Sequence, residues 1–256
     1  MLRPPMLAID HVLVSARRGR GRQRPPGSDR HTEPMRSSAW QPDAEDLAFT
    51  DVYGDWDPLT PAQLRELMTG FDRPWWLVGG HALEAFTGVH RFHEDIDLVV
   101  FDQDVAKLRD QLGDVFHLWS NHGGTFRIMD DEHPEPLHPH SQIWMRVDAR
   151  SPWRVDCILN PSLDGRWQSR HDESFVADLE DITWVADDGI RYLDPAVAML
   201  FKARQHRKKD EVDLDNAWPL LTVEQRVWLR EGVRRQYPDH SWTERLSADS
   251  GAVPRR

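Results

Sequence analysis

The sequence predicts an α/β (α+β) protein: a sheet-bearing domain with flanking helices, followed by a helical C-terminal lobe. Three observations carry this expectation. Between Trp75 and Phe101 two short apolar runs enclose a Gly-Gly pair and a helical stretch. From Val115 to Val185, short apolar segments recur between turn-forming residues, the pattern of strands. From Asp194 onward, helix-start signals dominate. The chain therefore divides into residues 1–45, a basic tail; 46–190, the sheet-bearing domain; and 191–256, the helical lobe.

Residues 1–36 hold eight arginines against Asp10, Asp29 and Glu33, a net charge of +5, whereas the whole chain carries −11. The remaining residues thus carry −16, so charge is sharply split. Arg17 to Pro26 is too polar and too rich in Gly, Arg and Pro to build a core, and reads as a disordered tail. A nucleic-acid-binding arm and a start at Met35 are the alternatives weighed for it. Beyond the tail, Thr60, Pro61 and Gln63 supply an N-cap, a first-turn proline and a capping-box partner for a helix to about Met68.

Trp75 to Val78 is short, bulky and bounded by Pro74 and Gly79, so it reads as a buried strand. Gly79 and Gly80 permit a tight turn, and His81 to Phe86 open a helix whose free N–H groups attract an anion. Gly88 closes this helix in a left-handed cap, and Ile96 to Phe101 form the neighbouring strand. Asp104 caps a helix through Leu112. Strands follow near Val115–Trp119, Phe126–Met129, Ile143–Val147, Trp153–Leu159 and Ile182–Val185, then helices from Pro195 to about Gln205 and from Thr222 to about Gln236.

Asp95 and Asp97 stand at the head of the second apolar run, two residues apart and so on one face of an extended chain. Two carboxylates held roughly 7 Å apart along a strand repel unless cations neutralise them. The same spacing recurs at Asp55 and Asp57, Asp102 and Asp104, and Asp213 and Asp215, but only Asp95 and Asp97 combine an upstream Gly-Gly helix start with a downstream apolar strand. A phosphate-cradling turn beside metal-binding carboxylates is the equipment for moving a nucleotide from a triphosphate. In the run from Trp153 to Leu159, the odd positions fall on one face and Asp156 projects from the other, which makes it the candidate third carboxylate; Asp148 is the alternative.

Gly79, Gly80, His81, Ala82 and Leu83, followed by Arg91, His93, Asp95, Ile96, Asp97 and Leu98, resemble the DNA polymerase β-like nucleotidyltransferase superfamily. Within it the likeness is to small antibiotic adenylyltransferases of the aminoglycoside 2″-adenylyltransferase and lincosamide nucleotidyltransferase type. His81 departs from the residues usual after the glycines there. The resemblance implies a mixed sheet, two Mg²⁺ ions held by Asp95, Asp97 and Asp156, and ATP or another nucleoside triphosphate as co-substrate. It implies transfer of a nucleoside monophosphate, AMP above all, to a hydroxyl of a small acceptor such as an aminoglycoside-like molecule, with Asp156 taking the hydroxyl proton. The alternatives are a toxin-type transferase acting on tRNA or protein and a silent nucleotide-binding module.

Arg91, through its planar fork, and His93, two residues before Asp95, are candidate phosphate contacts beside Gly79, Gly80 and His81. Lys202 is a further one: the chain has 28 arginines but four lysines, and Lys202 sits in an otherwise apolar helix, with a snorkelling surface lysine as the bland reading. Lys209, Asp210, Glu211 and Asp213 form a charged segment beside the cleft or a solvated helix start. His133, His138 and His140 lie in a Pro-rich loop that favours a solvated role over zinc binding. Cys157, the single cysteine, excludes an internal disulfide and reads as a packed core thiol. No apolar run spans a bilayer and the N-terminus makes a poor secretion signal, so a cytoplasmic enzyme is expected. The acidic folded part favours a cationic or neutral small acceptor and leaves nucleic acid as the weaker partner.

Overall fold

The structure, a computed structural model, describes residues 51–248; the basic tail expected over residues 1–45 lies outside the described residues. Helix α1 (Pro61–Leu67) begins as its sequence dictates: Gln63 N–H donates to Thr60 Oγ1 at 3.3 Å and Thr60 N–H to Gln63 Oε1 at 2.9 Å, a closed capping box. Strand β1 (Trp75–Leu77) leads into α2 (Gly79–Thr87), which ends at Gly88 in the left-handed conformation, φ 71°. Strand β2 (Asp97–Phe101) and α3 (Val105–Leu112) follow, then β3 (His117–His122), β4 (Thr125–Ile128), β5 (Gln142–Arg146) and β6 (Val155–Asn160).

Short elements complete the sheet-bearing part: β7 (Ser162–Leu163), β8 (Arg166–Gln168), β9 (Val176–Ala177), α4 (Leu179–Ile182), β10 (Thr183–Val185) and β11 (Arg191–Leu193). The helical part is α5 (Pro195–Gln205), α6 (Lys208–Ala217), α7 (Val223–Gln236) and α8 (Ser241–Ala248). Asp194 caps α5 through the Ala196 N–H, and Thr222 and Gln225 box the start of α7.

Eight strands form one mixed sheet in the order β10-β11-β1-β2-β6-β5-β3-β4. β2 and β6 run parallel, as do β1 and β11; the other neighbours are antiparallel. The second sheet, β7-β8-β9, is a small antiparallel flap. On the central strands Leu98, Val100, Cys157 and Leu159 are fully buried on one face. The opposite face carries Asp97 and Val99 of β2 beside Asp156 and Ile158 of β6. Helix α5 packs against α2, α6 and α7, so the helical part shares one continuous core with the sheet.

The structure shifts several boundaries expected from sequence. The strand expected at Val115 starts at His117, because Val115 and Phe116 donate their N–H groups to Leu112 O and finish the exit from α3. Trp153 lies outside β6 and bridges to Trp56 instead. The flap strands and β11 are two or three residues long, too short to show periodicity. Among the described residues, no helix is long and apolar enough to cross a membrane.

Candidate active site

The turn from β1 into α2 places backbone and carboxylate in direct contact. Gly79 has φ +63°, and a Cβ built on it would overlap Asp97 Oδ2. A Cβ on Gly80 would collide with Arg91 Nη2 and His93 Nδ1. Only a glycine pair lets the Asp97 carboxylate and the Arg91 and His93 side chains close on the start of α2. Val78, the residue before that helix, offers no side-chain cap, which leaves the first-turn N–H groups to an incoming anion.

Asp97 opens β2 and lies in register with Asp156 on the parallel strand β6, so the two side chains stand next to each other on one face. Asp95 falls just before the strand. Burial first, and then the charge of Asp95, push Asp97 up to about 7; burial and then the charges of Asp97 and Asp95 hold Asp156 well above the usual carboxylate range. Asp156 Oδ2 accepts from Gln142 Nε2 at 2.5 Å, and the side chain of Trp144, its neighbour on β5, also hydrogen-bonds this carboxylate. Asp148, the alternative third carboxylate, lies in an exposed turn after β5, where it accepts from the Arg150 and Ser151 N–H groups.

Cations crowd the opposite side, and each has a carboxylate. Arg91 grips Asp213 with both ends of its fork, Nε to Oδ1 at 3.0 Å and Nη2 to Oδ2 at 3.1 Å. Lys202, 6% exposed in α5, sits 2.9 Å from both Asp210 and Asp213. Lys209 pairs with Glu94 at 2.8 Å. His93 contacts Glu84 through Nε2 at 2.6 Å and stacks on His81 with ring centroids 3.9 Å apart. Burial opposes ionisation of Glu84, but the hydrogen bonds of His93 and His90 prevail and take it down to about 2. Burial, then the neighbouring His93, lowers His81 to about 4, so its ring is neutral near pH 7.

The structure thus brings together Gly79, Gly80, His81, Arg91, His93, Asp95, Asp97 and Asp156, and Lys202 acts on Asp97 through its charge while paired with Asp210 and Asp213. Glu84, Gln142 and the bridging role of Asp213 were not read from the sequence. Glu84 lies on the same helix as the glycines but in no motif; only the return of the loop at His90–His93 gives it partners. Cys157 is buried beside Asp156, and burial raises its thiol far out of the reactive range. His138 of the Pro-rich loop stacks on His122 and accepts from the His140 N–H.

Among the described residues Asp95, Asp97 and Asp156 have no ion-pair partner, and three such acidic side chains invite a metal. Among the described residues no three His, Cys, Asp or Glu side chains converge into a ready-made metal site. Mg²⁺ does not require one, since it is held through one or two carboxylates, waters and substrate phosphates. The mutual repulsion of Asp95, Asp97 and Asp156 fits such a hard cation.

No family model matches the chain, and no curated protein matches it. Among solved structures, it is similar to the lincomycin-bound lincosamide antibiotic adenylyltransferase LnuA, with 17% identity over 64% of this chain and 100% of that chain and a TM-score of 0.46. It is also similar to the antibiotic-resistance factor ANT(2″)-Ia in solution, with 15% identity over 73% of this chain and 94% of that chain and a TM-score of 0.47. The same ANT(2″)-Ia in complex with adenylyl-2″-tobramycin gives 14% identity over 69% of this chain and 99% of that chain, again with a TM-score of 0.47.

Proposed function

We propose that the protein is a nucleotidyltransferase of the polymerase β-like type, transferring a nucleoside monophosphate, AMP from ATP above all, to a hydroxyl of a small acceptor. The observation that carries this reading is the register of β2 and β6. It sets Asp97 and Asp156 side by side on one sheet face, with Asp97 against the glycine-led, uncapped start of α2. Carboxylates and an anion-seeking helix start in contact suit a triphosphate chelated by divalent cations.

In this reading Asp95, Asp97 and Asp156 hold two Mg²⁺ ions, which when bound neutralise charge on the attacking and leaving oxygens. The first turn of α2 at Gly79, Gly80 and His81 receives phosphate oxygens, with Arg91 and His93 beside it. His81 is neutral and donates a hydrogen bond without adding charge. Lys202 contributes mainly through its field, because its ammonium is spanned by two aspartates. The acceptor oxygen attacks the α-phosphorus in line. The new O–P bond forms as the bond to pyrophosphate breaks, and pyrophosphate leaves with the electron pair. The acceptor's proton passes to Asp156, which shares the sheet face of Asp97 and so lies beside the reacting hydroxyl.

Incubation with each of the four triphosphates, Mg²⁺ and a hydroxylated acceptor panel, followed by mass spectrometry, tests the reading. A nucleotidylated product that disappears in Asp97→Asn is expected. Nucleotide turnover untouched by Asp97→Asn and by Asp156→Asn would sink it.

A further inference from the structure

The sheet face that carries Asp97 and Asp156 continues, two residues further along each strand, into a cavity of about 340 Å³ floored by Trp76, Val99 and Ile158. That volume suits a small organic molecule. The flap closes one side with Trp167, and α5 closes another with Phe201. Trp167 and Phe201 lie nearly parallel, ring centroids 6.3 Å apart and planes 22° apart.

The polar lining is cationic. Arg170, in the loop after β8, and Arg204, at the end of α5, both border the cavity, and no Asp or Glu does. Neither guanidinium has a carboxylate within ion-pair distance among the described residues. Arg170 Nη2 donates to the His140 carbonyl at 2.5 Å, and Arg204 Nη1 meets His171 Nδ1 at 2.7 Å. A guanidinium only donates, so that His171 nitrogen accepts and the ring is neutral. The contrast with the phosphate end is sharp, since Arg91, Lys202 and Lys209 there are each matched by a carboxylate.

We propose that this cavity is the acceptor site and that it selects a small hydroxylated acid, with a carboxylate or phosphate group beside a flat apolar part, rather than a polycation. The assignment rests on the nucleotidyltransferase reading above. A polycation entering here meets two guanidiniums that have no ion-pair partner among the described residues, and no carboxylate in the lining, whereas an acid finds planar forks that bind it bidentately. The negative charge of the whole chain does not reverse this preference. Exposed charges beyond roughly 8 Å are screened at physiological salt, and the groups lining the cavity act at contact. Ile158 lies about 7 Å along β6 from Asp156, so an acceptor on the cavity floor brings a hydroxyl within reach of the proton-accepting carboxylate. The hydroxyl then gains the nucleotidyl group and loses its proton as in the general reaction.

The test compares 4-(hydroxymethyl)benzoate, its uncharged amide and tobramycin by calorimetric titration and as acceptors with ATP and Mg²⁺. Arg170→Gln, Arg204→Gln and the double variant are run in parallel, with thermal midpoints measured to check folding. The benzoate is expected to bind at least about tenfold tighter than the amide, a difference the double variant erases while Mg-ATP binding changes less than about twofold. Adenylylated benzoate as product completes the proposal. Tobramycin binding more tightly than the benzoate overturns it. So does a double variant that weakens Mg-ATP binding and spares the benzoate, because the cavity is then the nucleotide's. Benzoate that binds in an arginine-dependent manner without nucleotide transfer to any acceptor overturns the acceptor role and the nucleotidyltransferase reading while upholding the ligand chemistry of the cavity.

Discussion

The proposed reaction depends on the contact of Asp97 with Gly79 and on the pairing of Asp97 with Asp156. Because the folded protein holds Asp97 up at about 7 against an ordinary value of 3.8, the folded state binds the proton more tightly than the unfolded chain. Its contribution to stability is fully present below about pH 4 and is lost as pH rises through about 7. His81, lowered to about 4, acts in the opposite sense, since acid below its ordinary value of 6.5 costs the fold. The difference between Asp97→Asn and the parent isolates the carboxylate: the variant's advantage in denaturant midpoint should be smallest near pH 4 and grow to a plateau above pH 7. Added Mg²⁺ should raise the parent's thermal midpoint and leave that of Asp97→Asn nearly unchanged, while turnover in the variant falls at least about 100-fold. An Asp97→Asn variant that still gains stability from Mg²⁺ would move the metal elsewhere. Gly79→Ala combines a left-handed φ with a Cβ driven into Asp97, so it should cost about 1–2 kcal/mol in chemical unfolding and lower turnover more than stability.

At the scale of elements, the site depends on one junction. Asp213 of α6 holds Arg91, from the loop before β2, and Lys202 of α5 together. It is 6% exposed, and its removal leaves two cations short of a shared partner. Asp213→Ala should therefore destabilise the protein by about 3 kcal/mol, measured by denaturant unfolding, and should raise KM for the triphosphate by loosening the Arg91 loop. A loss below about 1 kcal/mol would show that solvent compensates the pair. This junction supplies the carboxylate partners of Lys202. An ammonium in an apolar helix is recognisable as unusual, but whether it faces phosphate or carboxylate depends on α6, whose Asp210 and Asp213 lie on one helical face at i and i+3. The helix starts at Thr60, Asp194 and Thr222 were legible because caps are local chemistry, settled within four residues. The flap strands and β11 were not, because runs of two or three residues are too short to show an alternation.

For the whole molecule, the decisive feature is one core. Buried side chains from Leu59 to Leu246 form a single cluster joining both faces of the central sheet to α5, α7 and α8. Sheet and helical lobe should consequently unfold together, with coincident midpoints in far-ultraviolet and near-ultraviolet circular dichroism. Leu200→Ala in α5, beneath Gly232 of α7, should lower both midpoints equally, by about 2–5 kcal/mol of stability. Separate transitions would show two independently stable units. Global and local charge differ: a chain of net charge −11 presents a cavity bordered by Arg170 and Arg204 with no Asp or Glu among its lining residues.

By itself the sequence determined what adjacent residues can decide. The glycine pair, the helix start behind it, the left-handed cap at Gly88 and the alternation that sets Asp156 apart from Val155 and Cys157 are all short-range consequences of sterics and pleat. The tertiary structure alone decided which distant groups meet. The parallel pairing of β2 with β6 put Asp156 beside Asp97, the loop before β2 delivered His93 to Glu84, and the flap brought Arg170 to α5. Such meetings arise from sheet order and helix packing, whose free energy is gained across the whole core and is written in no single stretch of residues.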